Sequence, residues 1–215
     1  VLDKNNLTVF EQFGSPNHAD HPSELTHSNL SARESASTGN SPLVVNSATY
    51  RVVPYPVESP NHTGGTPSLV TDPWAPAAGA ASALKWHFDG TTYHDSTRGN
   101  NVWAQEDRDN NNTTFGKAAL STTAQPSLTL DFTPNFTQAP TVTANQNLAI
   151  TNLFYWNNII HDITYQYGFD EAAGNFQANN QGRGGNGNDF VFAGVTTTFY
   201  DNYQKQLFVY PKLAV

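Results

Sequence analysis

The amino-acid sequence predicts an α+β fold, a β-rich antiparallel lobe with one long buried helix. One segment, between Asn147 and Tyr167, shows sustained helical periodicity. Upstream of it lie several short alternating segments separated by glycine, proline and asparagine, a pattern typical of strands joined by turns. The 215 residues are enough for one domain of ordinary size, or for one lobe of a larger protein.

Three regions are predicted along the chain. Residues 1–45 are polar with few spaced hydrophobic residues, and we interpret them as a flexible or extended segment. Residues 46–193 contain the predicted strands and the helix. Residues 194–215 are a divergent tail with two interpretations. Either Phe199 and Tyr200 face residues 207–210 as a strand pair, or the tail is the product of a truncated gene or a wrong reading frame.

Four segments predict the strands. The first alternates Tyr and Val among prolines, which confine it to an edge strand or an extended cover. The second alternates on both sides of Asp89-Gly90 and predicts a hairpin with a tight turn. The remaining two are short strands of a meander. In order, the segments are residues 50–57, 83–94, 102–104 and 127–132.

The helix is predicted over residues 147–167. Asn147 can cap its start, and Gly168 sits where a left-handed residue would end it. We expect one apolar stripe to be buried and the polar flank to face polar partners. The stripe comprises Ala149, Leu153, Trp156, Ile160, Ile163 and Tyr167, widened by Phe154, Tyr155 and Ile159. The flank comprises Asn157, Asn158, His161, Asp162 and Gln166.

A glycine-rich segment, residues 168–189, follows the helix. Its glycines and asparagines tolerate positive φ and close backbone approach, which predicts an irregular ordered loop. The glycines do not follow an apolar strand, do not open a helix and are not joined to a Lys-Ser/Thr pair, so a phosphate-binding loop is not indicated.

Composition and charge exclude several function classes. Lys and Arg total 10 against 18 Asp and Glu, and the net charge of −8 argues against binding to nucleic acid. The absence of cysteine excludes disulfides, thiol nucleophiles and cysteine-based zinc sites. No apolar run in the sequence has the length needed to span a bilayer, so no membrane partner is predicted. A surface rich in Asn, Thr and Ser and poor in Lys is typical of an exported protein.

Residues 152–177 read NLFYWNNIIHDITYQYGFDEAAGNFQ, and residues 182–189 read GRGGNGND. These runs closely resemble the secreted zinc metallopeptidases of the fungalysin type. Shorter pieces agree in order upstream: YRVVPYPVESPNH from Tyr50, DPW from Asp72 and STRGNNVWAQED from Ser96. The resemblance implies the N-terminal lobe of a metalloendopeptidase, one wall of a cleft whose second lobe brings the zinc. It also implies that residues 1–45 are propeptide-like or a linker.

The zinc chemistry of that class has no counterpart in these residues. A zincin needs two histidines four residues apart on a helix, with a glutamate between them, and HExxH is absent from the sequence. His161 is the only histidine on the predicted helix, and we interpret it as hydrogen-bonded to Asn157, Asn158 or Tyr165. No catalytic, cofactor-binding or metal-binding residue is therefore assigned, and zinc is expected only in the complete enzyme.

Other chemistry-bearing residues have simpler interpretations. Asp170 and Glu171 are expected to solvate or cap the loop rather than cleave glycosides. Histidines near the N-terminus have no metal-ligand spacing and are interpreted as solvated. The tryptophans are expected to pack in the core rather than form a sugar-stacking platform. These residues are His18, His21 and His27, and Trp74, Trp86, Trp103 and Trp156.

A calcium loop is a weaker possibility. Asp107, Asp109 and Asn111 occupy alternate positions, as the first three ligands of such a loop would. The sixth position is Asn112 rather than glycine, and the twelfth is Ala118 rather than glutamate. A solvated turn is favoured, and calcium binding is left open.

The sequence therefore predicts the N-terminal portion of a secreted zinc metalloendopeptidase, inactive alone. Its partners would be the missing catalytic lobe and, in the complete enzyme, protein substrates. The alternative is a stand-alone extracellular binding or adhesion module derived from the lobe, and a third reading is an inhibitor or chaperone of full-length relatives. A lone lobe should leave apolar helix surface uncovered, which we expect at Phe154, Tyr155 and Ile159.

Overall fold

Strands and one long helix make up the computed structural model, which describes residues 45–76, 79–107, 116–196, 200–201, 206–207 and 210–214. The elements are β1 (Ser47–Val52), β2 (Ser68–Thr71), a 3-10 turn (Ala80–Ser82), β3 (Val102–Glu106), β4 (Ser127–Leu130), α1 (Thr143–Gln166), β5 (Val191–Thr196), β6 (Tyr200–Asp201), β7 (Gln206–Leu207) and β8 (Tyr210–Ala214). The predicted α+β class is confirmed. His18, His21 and His27 lie outside the described residues.

The described strands form two three-stranded sheets and one hairpin. In the first sheet, ordered β2-β1-β4, β1 runs antiparallel to β2 and parallel to β4. In the second, ordered β3-β5-β8, β5 runs parallel to β3 and antiparallel to β8. The predicted antiparallel arrangement is therefore wrong for two pairings. The reason is that long connections, one of them containing α1, return the chain in the same direction.

The position of β1 also differs from the prediction. It is the central strand of its sheet, whereas its prolines predict an edge strand. Pro54 and Pro56 lie beyond Val52, where β1 ends, so they remove no hydrogen bond from the ladder. The predicted turn at Asp89-Gly90 is confirmed by a bridge between Phe88 and Tyr93, but the predicted hairpin strand is wrong, because residues 83–87 form turns.

Strands form in the tail, as the first of its two interpretations expects. β6 pairs with β7 through Tyr200 and Leu207, and β8 adds to the edge of β5. β5 runs across residue 193, where we predicted the lobe to end. The three predicted domain limits stay predictions.

An aromatic core fills the space between the first sheet and α1. The ring of Trp86 lies 5.8 Å from that of Tyr50 and 6.2 Å from that of Phe154. Trp74 and Trp103 are also buried, and Trp156 packs against the core while partly exposed. The prediction that the tryptophans pack in the core is confirmed.

The helix α1 begins four residues earlier than predicted. Asn147 therefore lies inside it, and the start is held instead by Asn145, whose side chain bonds the backbone of Asn135. The predicted end at Gly168 is confirmed. With φ of 95° at this glycine, the Phe169 N–H reaches back to the Thr164 carbonyl at 3.0 Å. None of the helices in the described ranges combines the length and the apolar character that crossing a bilayer requires.

The buried face of α1 departs from the predicted stripe in its second half. Ile160 is 55% exposed and Tyr167 is 89% exposed, whereas Asn158 and Asp162 of the polar flank are buried. Phe154 and Tyr155, which we expected to be bare, are buried as well, and Ile159 is partly buried. The second half of α1 turns its polar side inward because the segments beneath it offer hydrogen-bonding groups.

Candidate functional site

A line of polar side chains on α1 anchors the helix to the lobe. Asn158 accepts a hydrogen bond from Asn101 Nδ2 at 3.1 Å. One turn later, Asp162 Oδ2 accepts from Trp86 Nε1 at 3.0 Å, and Asp162 Oδ1 lies 3.0 Å from His161 Nδ1. Asp162 is buried, so its two carboxylate oxygens supply hydrogen-bond acceptors to the Trp86 and His161 N–H groups in a place that water does not reach.

The second ring nitrogen of His161 contacts the glycine-rich loop. Its Nε2 lies 3.1 Å from Gln177 Nε2 and 3.4 Å from Asn175 Nδ2. The Asp162 carboxylate only accepts, so it fixes the proton of His161 on Nδ1 and leaves Nε2 to accept from the amide. His161 thus joins α1 to the loop with both of its nitrogens engaged.

The prediction that His161 bonds Asn157, Asn158 or Tyr165 is wrong, because each of these three side chains bonds a different group. Asn157 and Asn158 donate to carbonyl groups one turn earlier in α1. The Tyr165 hydroxyl donates to Glu171 Oε2 at 2.7 Å, and its ring centroid lies 6.0 Å from that of His161.

Glu171 ties the end of α1 to the glycine-rich loop. Its Oε1 accepts from Arg183 Nε at 2.8 Å and Nη2 at 2.7 Å, while Oε2 accepts from Tyr165. Burial alone would raise the pKa of Glu171, but the Arg183 and Tyr165 hydrogen bonds outweigh it and lower the pKa. Asp170 accepts from the Ala173 N–H at 3.0 Å, so the expected capping role is confirmed for Asp170, whereas Glu171 is buried and pairs with Arg183 instead.

The glycine-rich loop requires glycine where it passes Glu171. Gly185 has φ of 66°, and a Cβ there would lie 1.9 Å from the Glu171 carbonyl oxygen. Asn180 Nδ2 donates to the carbonyls of Gly184 and Asn186 and holds the loop in this shape. The loop is therefore an irregular ordered segment, as predicted.

Arg183→Met should loosen this loop without unfolding the lobe. It leaves the buried Glu171 carboxylate without its cation while keeping most of the side-chain volume, and we expect a loss of about 1–3 kcal/mol. Hydrogen exchange should accelerate in residues 171–189 and stay unchanged in β1. Arg51→Met is the matched control, since the Arg51–Asp131 pair is more exposed. Equal exchange in the two variants would contradict an anchoring role for Arg183.

A second buried cluster lies beneath β1. The Tyr50 hydroxyl is 2.6 Å from His87 Nε2, and both residues are fully buried. Burial, with a smaller contribution from His94, lowers the pKa of His87 to about 3. His94 Nε2 lies 2.9 Å from Asp89 Oδ2. Since neither Tyr50 nor His87 reaches solvent, this cluster is part of the core and is closed to a substrate.

The possible calcium ligands are only partly described. Asp107 is buried, and its N–H donates to the Val195 carbonyl at 2.9 Å. Asp109 and Asn111 lie outside the described residues. Calcium binding there stays a prediction.

An apolar groove of about 320 Å³ runs between α1 and the first sheet. It lies on the flank of the helix that β1 does not cover. Most of its lining residues are apolar or aromatic, with Asp162 and Gln166 at its polar side. The apolar and aromatic ones are Tyr55, Val70, Pro73, Pro76, Tyr155, Ile159 and Ile163.

The family follows from a comparison with known proteins. A family model described as Fungalysin metallopeptidase matches residues 49–208, well over half of the chain. The chain belongs to the fungalysin family. The match takes in most of β1, the core tryptophans, all of α1, the glycine-rich loop and β5, so the polar anchors of the helix lie within the fungalysin part of the chain.

Curated relatives of this fungalysin chain carry the name extracellular metalloproteinase. Extracellular metalloproteinase 3 of Arthroderma otae is 40% identical over 163 residues, 75% of this chain and 24% of the relative. Extracellular metalloproteinase 2 of the same fungus is 39% identical, and extracellular metalloproteinase 3 of Trichophyton tonsurans is 38% identical, with the same coverage. The chain thus spans about a quarter of the length of the relatives it matches.

The zinc ion of the fungalysin family does not fit the residues described. A protein zinc site takes three or four nitrogen, sulfur or carboxylate ligands. In the described ranges no group of three or more His, Asp or Glu side chains is placed to hold a metal ion. The ring nitrogens of His161 and the carboxylate oxygens of Asp162 are occupied by Trp86, Gln177 and each other.

Proposed function

We propose that this chain is the N-terminal portion of a secreted zinc metalloendopeptidase and acts as a scaffold. The observation that carries the proposal is the match to extracellular metalloproteinases over 24% of their length, in a sequence without HExxH. The catalytic lobe, with its zinc ligands, would come from outside these residues. Its substrates would be proteins, cleaved outside the cell.

The anchors of α1 support a scaffold role. Asp162, His161 and Glu171 join three segments, α1, the segment around Trp86 and the glycine-rich loop, and would hold one wall of a cleft rigid. A wall that does not deform can position a substrate for groups supplied by another lobe. Asp162 and Glu171 are buried, which suits a structural role.

A stand-alone binding or adhesion module is the second candidate. It is favoured by the burial of Phe154 and Tyr155, since we expected a lone lobe to leave them bare. The exposure of Ile160 and Tyr167 favours a lobe of a larger enzyme instead, because these apolar side chains would be buried if another part of the enzyme packed against them.

The chain alone should hydrolyse no casein and retain no stoichiometric zinc after dialysis. A chimera should be made of Arthroderma otae extracellular metalloproteinase 3 in which residues 49–208 of this chain replace the aligned segment. We expect this chimera to bind zinc and cleave casein. Metal analysis and a casein assay check both, with the unmodified relative as reference.

Two outcomes would contradict the scaffold proposal. The first is zinc-dependent hydrolysis by the chain alone that is abolished by His161→Ala. The second is a chimera that folds and holds zinc but cleaves no casein, which would favour the stand-alone module.

A further inference from the structure

We propose that the outer edge of β2, with the groove beneath it, binds an extended segment of a partner polypeptide by strand addition. β2 is the outermost strand in the order β2-β1-β4, and no described strand pairs with its other edge. A free edge offers unpaired N–H and C=O groups to a further strand. This site is separate from the scaffold role and does not depend on it.

The register shows which backbone groups are available. The Asp72 N–H donates to the Ala48 carbonyl at 3.0 Å, and Tyr50 lies opposite Val70. Bonded and non-bonded pairs alternate along an antiparallel ladder, so Val70 also bonds towards β1. The N–H and C=O groups of Leu69 and Thr71 therefore point away from β1, towards the free edge.

The strand β2 is short, with four residues, but it carries neither of the two residue types that prevent strand addition. The sequence of β2, Ser-Leu-Val-Thr, contains no charged residue and no proline. Ser68, Leu69 and Thr71 are all exposed, and no described strand pairs with this edge. Pro73 follows β2 closely and limits the site to a short segment of partner.

The groove lies where the side chains of an added strand would point. Val70 is in register with Tyr50, whose ring packs 6.2 Å from Phe154 of α1, so both side chains face the helix. An added strand would lie about 4.8 Å beyond β2. Its helix-facing side chains would then enter the groove over Ile159 and Ile163, the flank of α1 that the three-stranded sheet leaves open.

A peptide fits this site better than a second copy of the chain does. Two copies paired through β2 would each direct Val70 into their own groove, and both grooves would remain unfilled. An extended peptide directs alternate side chains into the groove while its backbone bonds the edge. The partner is therefore an extended segment with apolar side chains at alternate positions and no proline between them.

The test uses the purified full chain and a labelled hexapeptide with two valines at alternate positions, threonines between and beside them, and a lysine at the end. Fluorescence anisotropy should show saturable binding below about 1 mM. The control is the same peptide with N-methyl groups on its edge-facing amides, which keeps the apolar side chains but removes the backbone donors. We expect binding of the control to be weaker by about tenfold or more.

Three variants separate the edge from the groove. Leu69→Pro removes one outward N–H and no bond to β1, and it should weaken binding of the parent peptide about tenfold. Ile159→Glu places a charge in the groove and should abolish binding, whereas Ile160→Glu, at the neighbouring exposed position, should leave it within about twofold. Circular dichroism checks that each variant is folded.

Either of two results overturns the proposal. One is the absence of saturable binding up to about 1 mM in the parent chain. The other is binding that survives N-methylation of the peptide, or that falls equally in the Ile159→Glu and Ile160→Glu variants. If Leu69→Pro does not fold, the methylated peptide and the isoleucine pair decide the question.

Discussion

Replacing Asp162 by alanine should lower the free energy of unfolding by about 3–5 kcal/mol. The substitution leaves two donors, Trp86 Nε1–H and His161 Nδ1–H, without acceptors in a buried site. A small domain has about 5–15 kcal/mol in total, so the variant should be close to unfolding at ambient temperature. Urea denaturation followed by tryptophan fluorescence measures the loss.

Two further variants test the assignment of the helix face. Asp162→Asn keeps one acceptor oxygen and should be destabilised less than the alanine variant. Ile160→Asp should change stability by no more than about 0.5 kcal/mol, because Ile160 is 55% exposed. The helical stripe in the sequence predicts the reverse, a severe loss at Ile160 and tolerance on the polar flank. A severe loss at Ile160 with tolerance at Asp162 would show that the stripe is buried after all.

Stability should fall steeply as the pH drops from about 6.5 to 4.5, and His87 should be the cause. Burial lowers the pKa of His87 to about 3 in the folded chain, while the unfolded chain titrates near the ordinary 6.5. Above pH 6.5 both states are neutral at this residue and stability is greatest. Below pH 6.5, His87 is protonated in the unfolded chain but stays neutral in the folded chain. This difference lowers the free energy of unfolding by up to about 1.4 kcal/mol per pH unit.

The pH window separates His87 from the buried acids. The pKa of Asp89 falls from 3.8 to about 2, since the bonds from His94 and the backbone outweigh burial, and that of Glu171 falls from 4.5. Protonation of these two acids therefore affects the free energy of unfolding mainly below pH 4.5. His87→Gln keeps a hydrogen-bonding group for Tyr50 and should flatten the stability profile between pH 6.5 and 4.5. An unchanged slope in this variant would contradict the assignment.

Local features of the fold are predictable from the sequence. The end of α1 at Gly168 and the turn at Asp89-Gly90 depend on residues a few positions apart, and both predictions are confirmed. The start of α1 was missed because Asn145 bonds backbone groups before the helix rather than capping its first turn. Strand direction was missed because it depends on where long connections return.

The buried polar anchors were not visible in the sequence. Trp86 and Asp162 are 76 positions apart, and nothing near either residue indicates the other. A helical stripe of apolar residues predicts burial only when the packing surface is apolar as well. One signal was available: Glu171 and Arg183 are opposite charges within the same glycine-rich segment, where an ion pair can hold a backbone that has few side chains of its own to pack.

The two parallel pairings impose an order on folding. Tyr50 meets Leu130, and Val102 meets Val191, only after the intervening segments have been synthesised and folded back. Contacts so distant along the chain slow the search for the native state, whereas α1 can form from local contacts alone. A chain of this topology therefore leaves β1 and β3 unpaired on one side until β4 and β5 emerge. During this interval its exposed strand edges are vulnerable to aggregation and proteolysis.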